Sequence, residues 1–197
     1  MALFTLAMKS NPVIRKSRLT PRLRGRAQEQ RALLTVNVSR RRKRAMPTVH
    51  TRIATLSDLN AVASLFDAYR QFYEQKSDLS LATEFIGHRI RNKESVVILA
   101  ETHGRGTIGF CQLYPSFCSV EAAAIYYLYD LYVLPEVRRT GTARKLLQAA
   151  EEHARLRGFA RLELKTARSN ATAQSVYESL GWVRDDLFYG YSKQTDG

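Results

Sequence analysis

From residue 49 onward the apolar positions fall into short blocks whose period changes along the chain. Val49 to Ala54 has strand composition. Behind Ser57 and Asp58, which can cap a first turn, Leu59, Val62, Ala63, Phe66 and Tyr69 recur at helical spacing. Phe85, Ile86 and Ile90 mark a second helix over about Leu81 to Asn92. Two β-rich runs follow, Ser95 to Glu101 and Thr107 to Tyr114, joined by the turn His103-Gly104-Arg105-Gly106 as in a hairpin. Pro115 to Glu121 reads as a polar loop, and Ala124 to Leu134 as a longer strand rich in Tyr, Leu, Ile and Val. Helix, strand, helix and strand are then expected at about 141–157, 160–166, 170–180 and 187–193, with Gly158 and Gly181 where helix stops belong. This order predicts a mixed α/β domain, a mainly antiparallel sheet flanked by helices, rather than a doubly wound sheet.

Before residue 48 that patterning fails. Residues 1–47 hold thirteen Lys/Arg against Glu29 alone, whereas residues 48–197 hold 18 Lys/Arg against 17 Asp/Glu. The formal charge of +13 therefore belongs to an N-terminal extension, and the domain over 48–197 is nearly neutral. With no apolar face to bury, the extension is expected to be disordered. Three functions fit it: a targeting peptide, a basic arm for nucleic acid or an acidic membrane surface, or upstream sequence with Met46 as the working start. Nothing in the domain itself suggests nucleic acid. No apolar run reaches the roughly 20 residues that span a bilayer, so no membrane partner is expected. Cys111 and Cys118 have no partner pair and no His at ligand spacing. They predict neither zinc nor a disulfide framework, and they fit a cytoplasmic setting.

Chemistry concentrates in Leu131 to Leu147. A β-rich strand ends at Pro135, and a helix with Ala143, Leu146, Leu147 and Ala150 on its inner side begins near Gly141. Free N–H groups and a positive dipole end await an anion at such a start. Gly141 and Ala143 let a phosphate come close to the backbone, and Arg138, Arg139, Arg144 and Lys145 add charge. A solvated basic face on an ordinary strand–helix turn has the same spacing. Neither a Walker loop nor a Gly-x-Gly-x-x-Gly fingerprint is present.

The turn Arg138-Arg139-Thr140-Gly141-Thr142-Ala143 resembles the Gln/Arg-x-x-Gly-x-Gly/Ala signature of the GNAT superfamily of acetyl-CoA-dependent N-acetyltransferases, and Asp130-Leu131-Tyr132-Val133 resembles its flank. A second block, Asn170 to Trp182, is similar to the family's Asn…Ala…Tyr…Gly-Phe helix. The likeness covers about residues 49–193. Gln112 to Phe117 and Gly181-Trp182 further resemble the small-amine and histone-tail branch.

The resemblance implies that coenzyme A lies between the splayed strands 124–134 and 160–166. Its contacts would come from Tyr132, Val133, Arg138, Arg139, Thr140, Gly141, Thr142, Ala143, Arg144 and Asn170, with the pyrophosphate on the turn and a backbone N–H near Val133 facing the thioester oxygen. Arg139 departs from the family's frequent Gly. Tyr177 matches the acid that protonates the departing thiolate, although the same ring could simply pack its helix. Asn170 could cap that helix, bond the pantetheine arm, or both. For the base Asp130 is taken, with Glu84, Glu121 and Tyr129 open. His50, His88, His103 and His153 read as surface or turn residues. Tyr69, Phe72, Tyr73, Tyr126, Tyr127 and Tyr129 would wall either an amine pocket or the core, with loops around 70–80 and 115–123 shaping it. The implied function is transfer of acetyl from acetyl-CoA, with no metal, to a small primary amine (polyamine or amino acid) or a protein lysine, in a ternary complex. The other class is a catalytically inactive coenzyme-A-binding or nucleic-acid-associated module led by the basic arm. The resemblance also implies a homodimer, with Phe188 to Lys193 as a candidate edge.

Overall fold

A computed structural model of the chain describes residues 48–195; the readings made of residues 1–47 lie outside the described residues. Strands β1 (Val49–Ile53), β2 (Val96–Thr102), β3 (Gly106–Cys118) and β4 (Ala123–Val133) form an antiparallel sheet in chain order, and β5 (Arg161–Leu164) adds to β4 in parallel. Helices α1 (Leu59–Phe72) and α2 (Leu79–Arg91) cover one face, and α3 (Thr142–Leu156) covers the other. A short α4 (Ala171–Glu178) follows β5. The domain is the mixed α/β sheet that the element order predicts.

Both faces of the central strands are covered, so β2 reads as an almost unbroken apolar run. Val97 and Leu99 pack with Val62, Phe66, Ile86 and Phe110 beneath α1 and α2. Ile98 and Ala100 pack with Cys111, Leu113, Leu146 and Leu147 beneath α3. The α1–α2 connection is tied to buried Asp67, which accepts from Gln71 Nε2 at 2.9 Å, Ser77 Oγ at 2.7 Å and the Asp78 N–H at 2.8 Å.

Two expectations are corrected. The segment after Tyr114 is not a loop, because β3 continues to Cys118 with Pro115 opposite Tyr126. Pro115 is tolerated because β2 ends opposite Leu113, which leaves one edge of β3 free from Tyr114 on. The expected last strand over 187–193 does not form. Leu187, Phe188, Tyr189 and Tyr191 are exposed, and Asp185 instead gathers the Leu187 and Phe188 N–H groups at 2.8 and 3.2 Å. Strand composition makes a strand only where a neighbouring edge supplies the ladder, and here none is paired with it.

Candidate active site

β4 and β5 part in mid-sheet. Their pairing runs from Ile125 with Arg161 to Leu128 with Leu164 and goes no further. At the same level the other edge of β4 slips: Gln112 faces Asp130, the next pair is Leu113 with Leu128, and Tyr129 is the extra residue of a bulge. Beyond it the Leu134 N–H donates to the Ile108 carbonyl at 3.0 Å, and Gly109 faces Val133. Antiparallel alternation therefore turns the N–H groups of Val133 and Leu131 to the edge that β5 has left. The Val133 carbonyl points the same way and accepts from Arg138 Nε at 3.0 Å. Arg138 is thereby held at the strand end, its guanidinium 5.4 and 5.6 Å from the rings of Phe72 and Tyr132. Tyr132 itself is buried under α1.

The turn after β4 is braced from within. A 3-10 turn spans Pro135–Val137, and Thr140 Oγ1 donates to the Val137 carbonyl at 2.7 Å and lies 2.9 Å from the hydroxyl of buried Thr142. Arg139 and Gly141 both take left-handed backbone, with φ of 62° and 85°. That conformation lets the chain wind directly into α3, where the Lys145 N–H bonds the Gly141 carbonyl at 3.1 Å. The N–H groups of Thr142, Ala143 and Arg144 precede that first bond and have no intrahelical carbonyl to meet. A Cβ built on Gly141 would touch nothing within 4 Å, so no other part of the described chain covers the turn there. Bare N–H groups at a helix start are the kind of donor set that receives phosphate. Arg144 reaches across to α4, where Nη2 donates to Ser179 Oγ at 2.6 Å.

On the α1 face, next to the bulge, lies a cavity of about 610 Å³. α1 and its end supply Phe66, Tyr69, Arg70 and Tyr73; α2 supplies Phe85 and Arg89; Tyr114, Tyr129 and Asp130 come from the sheet. Asp130 is 5% exposed. Burial pushes its carboxyl up to about 6, partly offset by the nearby Tyr69 hydroxyl, which itself donates to the Tyr129 carbonyl at 3.5 Å. The phenols respond to the same burial and charge: Tyr69 is held well above its usual range, and Tyr114 is pushed up to about 12. Gln112, fully buried opposite Asp130, donates through Nε2 to Ser95 Oγ at 2.6 Å, and its Oε1 has no partner.

α4 supplies the remaining predicted groups. Asn170 caps it, Oδ1 accepting from the Ala173 N–H at 3.2 Å. The Tyr177 ring lies 5.9 Å from that of Trp182, and burial, followed by the neighbouring Tyr73, raises its phenol. Of the other acids considered, Glu84 is exposed on α2 and Glu121 pairs with Arg161 at the start of β5. Of the six aromatics, Tyr69, Tyr73 and Tyr129 line the cavity, while Tyr126 stacks on Phe159 beneath α3. The 115–123 segment does not reach it; Pro115 borders a separate cavity of about 510 Å³ with His153 and Arg157. Arg70 and Arg89 are absent from the sequence reading, and Phe85 and Gln112 enter it only as a helix-face residue and as part of a resembling segment, because nothing in their local spacing separates them from ordinary helix and strand residues. Among the described residues no group of three His, Cys, Asp or Glu is placed to hold a metal ion.

Comparison with known proteins gives a consistent answer. The profile of the Acetyltransferase (GNAT) family matches residues 60–182. An uncharacterized N-acetyltransferase of Bacillus subtilis (strain 168), YhfO, is 44% identical over 143 residues, 73% of this chain and 95% of that protein. The [Ribosomal protein bS18]-alanine N-acetyltransferase of Escherichia coli (strain K12) is 37% identical over 70 residues, 36% of this chain and 47% of its own length. The crystal structure of a probable acetyltransferase superposes with a TM-score of 0.70 at 39% identity, covering 75% of this chain and 99% of that one. The aminoglycoside N-acetyltransferase AAC(6')-Iy, solved in complex with CoA, shares the fold at 17% identity and a TM-score of 0.65, covering 76% and 97%.

Proposed function

The chain belongs to the GNAT family of acetyltransferases, and from that premise we propose that it carries acetyl from acetyl-CoA to a primary amine seated in the cavity beside Asp130. One observation carries the reading: an open, left-handed turn with bare N–H groups stands where β4 and β5 part, alongside a cavity with a buried carboxylate. The acceptor is a small amine of amino-acid or polyamine type, or a protein lysine, and attack occurs directly in a ternary complex.

The turn fits a pyrophosphate. Its N–H groups from Arg139 to Arg144 are donors at a turn that the hydroxyls of Thr140 and Thr142 brace from within. Asn170, whose side-chain oxygen is already taken up in capping, has its amide free for the pantetheine arm. Acetyl-CoA supplies the activated acetyl group. The chain does the rest. The Leu131 and Val133 N–H groups, turned to the open edge, stabilise negative charge building on the acetyl oxygen. Asp130 takes the ammonium proton, without which an amine of pKa about 10.4 has no lone pair to attack with. Tyr177 returns a proton to the departing sulfur, and its burial keeps the phenol in the form that can donate.

Two further assignments accompany this one. The exposed Phe188, Tyr189 and Tyr191, with Gly190 beside Lys165 just past β5, support a homodimer assembled through that edge. The unpaired Cys111 and Cys118 support a reducing, cytoplasmic setting. The primary test is calorimetry of acetyl-CoA binding to the full chain and to Gly141→Trp. Micromolar binding that the substitution abolishes is expected; no binding by the folded wild-type chain overturns the proposal.

A further inference from the structure

Two guanidinium groups and one carboxylate border the cavity beside Asp130, and each guanidinium has a further carboxylate close to it outside the lining, Asp67 for Arg70 and Glu94 for Arg89. The way each arginine is held decides what that charge is for.

Arg70 has a carboxylate nearby that is already taken. Its Nη1 lies 3.5 Å from Asp67 Oδ1, at ion-pair distance, and it is buried without a hydrogen bond. Asp67 spends its oxygens on Gln71, Ser77 and the Asp78 N–H, fixing the α1–α2 connection. A guanidinium N–H buried without a hydrogen bond is a donor that a ligand oxygen can satisfy. Arg89 is held differently. Its Nε donates to Glu94 Oε2 at 2.5 Å, and its guanidinium lies 4.6 Å above the Phe85 ring. Those contacts orient the plane and leave its Nη groups without a bond to any described residue.

Resting on the acetyl-transfer reading above, we infer that the acceptor amine carries a carboxylate: the substrate is an α-amino acid or a related aminocarboxylate. Its ammonium end lies toward Asp130, its carboxylate is met by Arg70 with Arg89 behind it, and its apolar part lies against Phe66, Phe85 and Tyr114. A planar guanidinium matches a carboxylate in geometry as well as charge. A polyamine or aminoglycoside would instead bring further ammonium groups against two guanidinium groups that border the cavity, while their carboxylate partners Asp67 and Glu94 lie outside the lining.

The test compares matched ligands that differ only in the carboxylate: phenylalanine with phenethylamine, and lysine with cadaverine. Calorimetry on the full chain saturated with coenzyme A reads affinity without asking for transfer. In each pair the acid is expected to bind at least about tenfold tighter. Arg70→Met should erase that advantage while leaving the decarboxylated partner within about twofold. Equal or tighter binding of phenethylamine and cadaverine overturns the inference, as does an Arg70→Met variant that weakens both partners alike. The wild-type comparison stands by itself if that variant does not fold. Because the readout is binding, a preference for the acids with no acetylation of any of the four would sink the transfer reading and keep the carboxylate pocket.

Discussion

Gln112 and Asp130 face each other across β3 and β4, the last aligned pair before the ladder skips Tyr129. The skip reverses the phase of β4. Leu128, two residues earlier, packs beneath α3, whereas Asp130 and Tyr132 look toward α1 and α2. Without the bulge, alternation would put all three on one face. One inserted residue therefore delivers a carboxylate to the cavity, and it does so where β5 turns away and exposes the edge of β4.

The buried Asp130 carboxyl makes stability depend on pH. Its folded value of about 6 lies above the ordinary 3.8, so the fold binds the proton more tightly than the unfolded chain does. Stability must then fall as pH rises from about 4 to about 6, and the penalty is complete above that. Asp130→Asn should gain on the order of 3 kcal/mol at pH 7.5 and almost nothing at pH 3.5, as read by urea unfolding at both values. In turnover, kcat/KM of the wild type should rise through pH about 6, and the Asn variant should lie roughly 10²–10⁴-fold lower without that limb.

Arg139 sits at φ 62°, where an L side chain is strained. Arg139→Gly should raise stability by about 1 kcal/mol and Tm by about 2–4 °C, measured by thermal unfolding. Acetyl-CoA should bind slightly more weakly to it at low salt, since one cation near the turn is lost.

Gly141 separates strain from obstruction. At φ 85°, with nothing within 4 Å of a Cβ, Gly141→Ala should cost about 1 kcal/mol of stability through backbone strain alone. Acetyl-CoA affinity should drop by about tenfold or more, because the methyl occupies the surface that a phosphate must approach. Urea unfolding and calorimetry on the same variant read the two effects apart.

Tyr177→Phe should keep the fold, since the ring still meets Trp182, and should keep acetyl-CoA affinity within about twofold. Its kcat should fall by roughly 10². Burial raises the Tyr177 phenol above its usual value of 10, so its ionisation lies beyond the working range. The ratio of wild-type to variant kcat should accordingly stay flat between pH 7 and 9.5; a ratio that collapses within that window would count against the donor role.

How far the sequence reaches depends on whether a feature is local. The stripe Val62, Ala63 and Phe66, the cap at Asn170 and the strand–turn–helix around Gly141 are set by residues within one or two turns of one another, and spacing reports them directly. The last strand failed the same reading, because Phe188 to Lys193 has strand composition but no paired edge beside it.

By itself, then, the chain determined most of its elements, the two covered faces of its sheet and the open turn at Gly141, since each follows from side-chain period or from the backbone freedom of a single residue. Only the tertiary structure decided which face Asp130 joins, where β4 and β5 separate, and that Arg70 and Arg89 close on one cavity. Those outcomes turn on the register between strands and on helices packed from distant parts of the chain, and the energy that selects a register is shared among residues too far apart for local spacing to record.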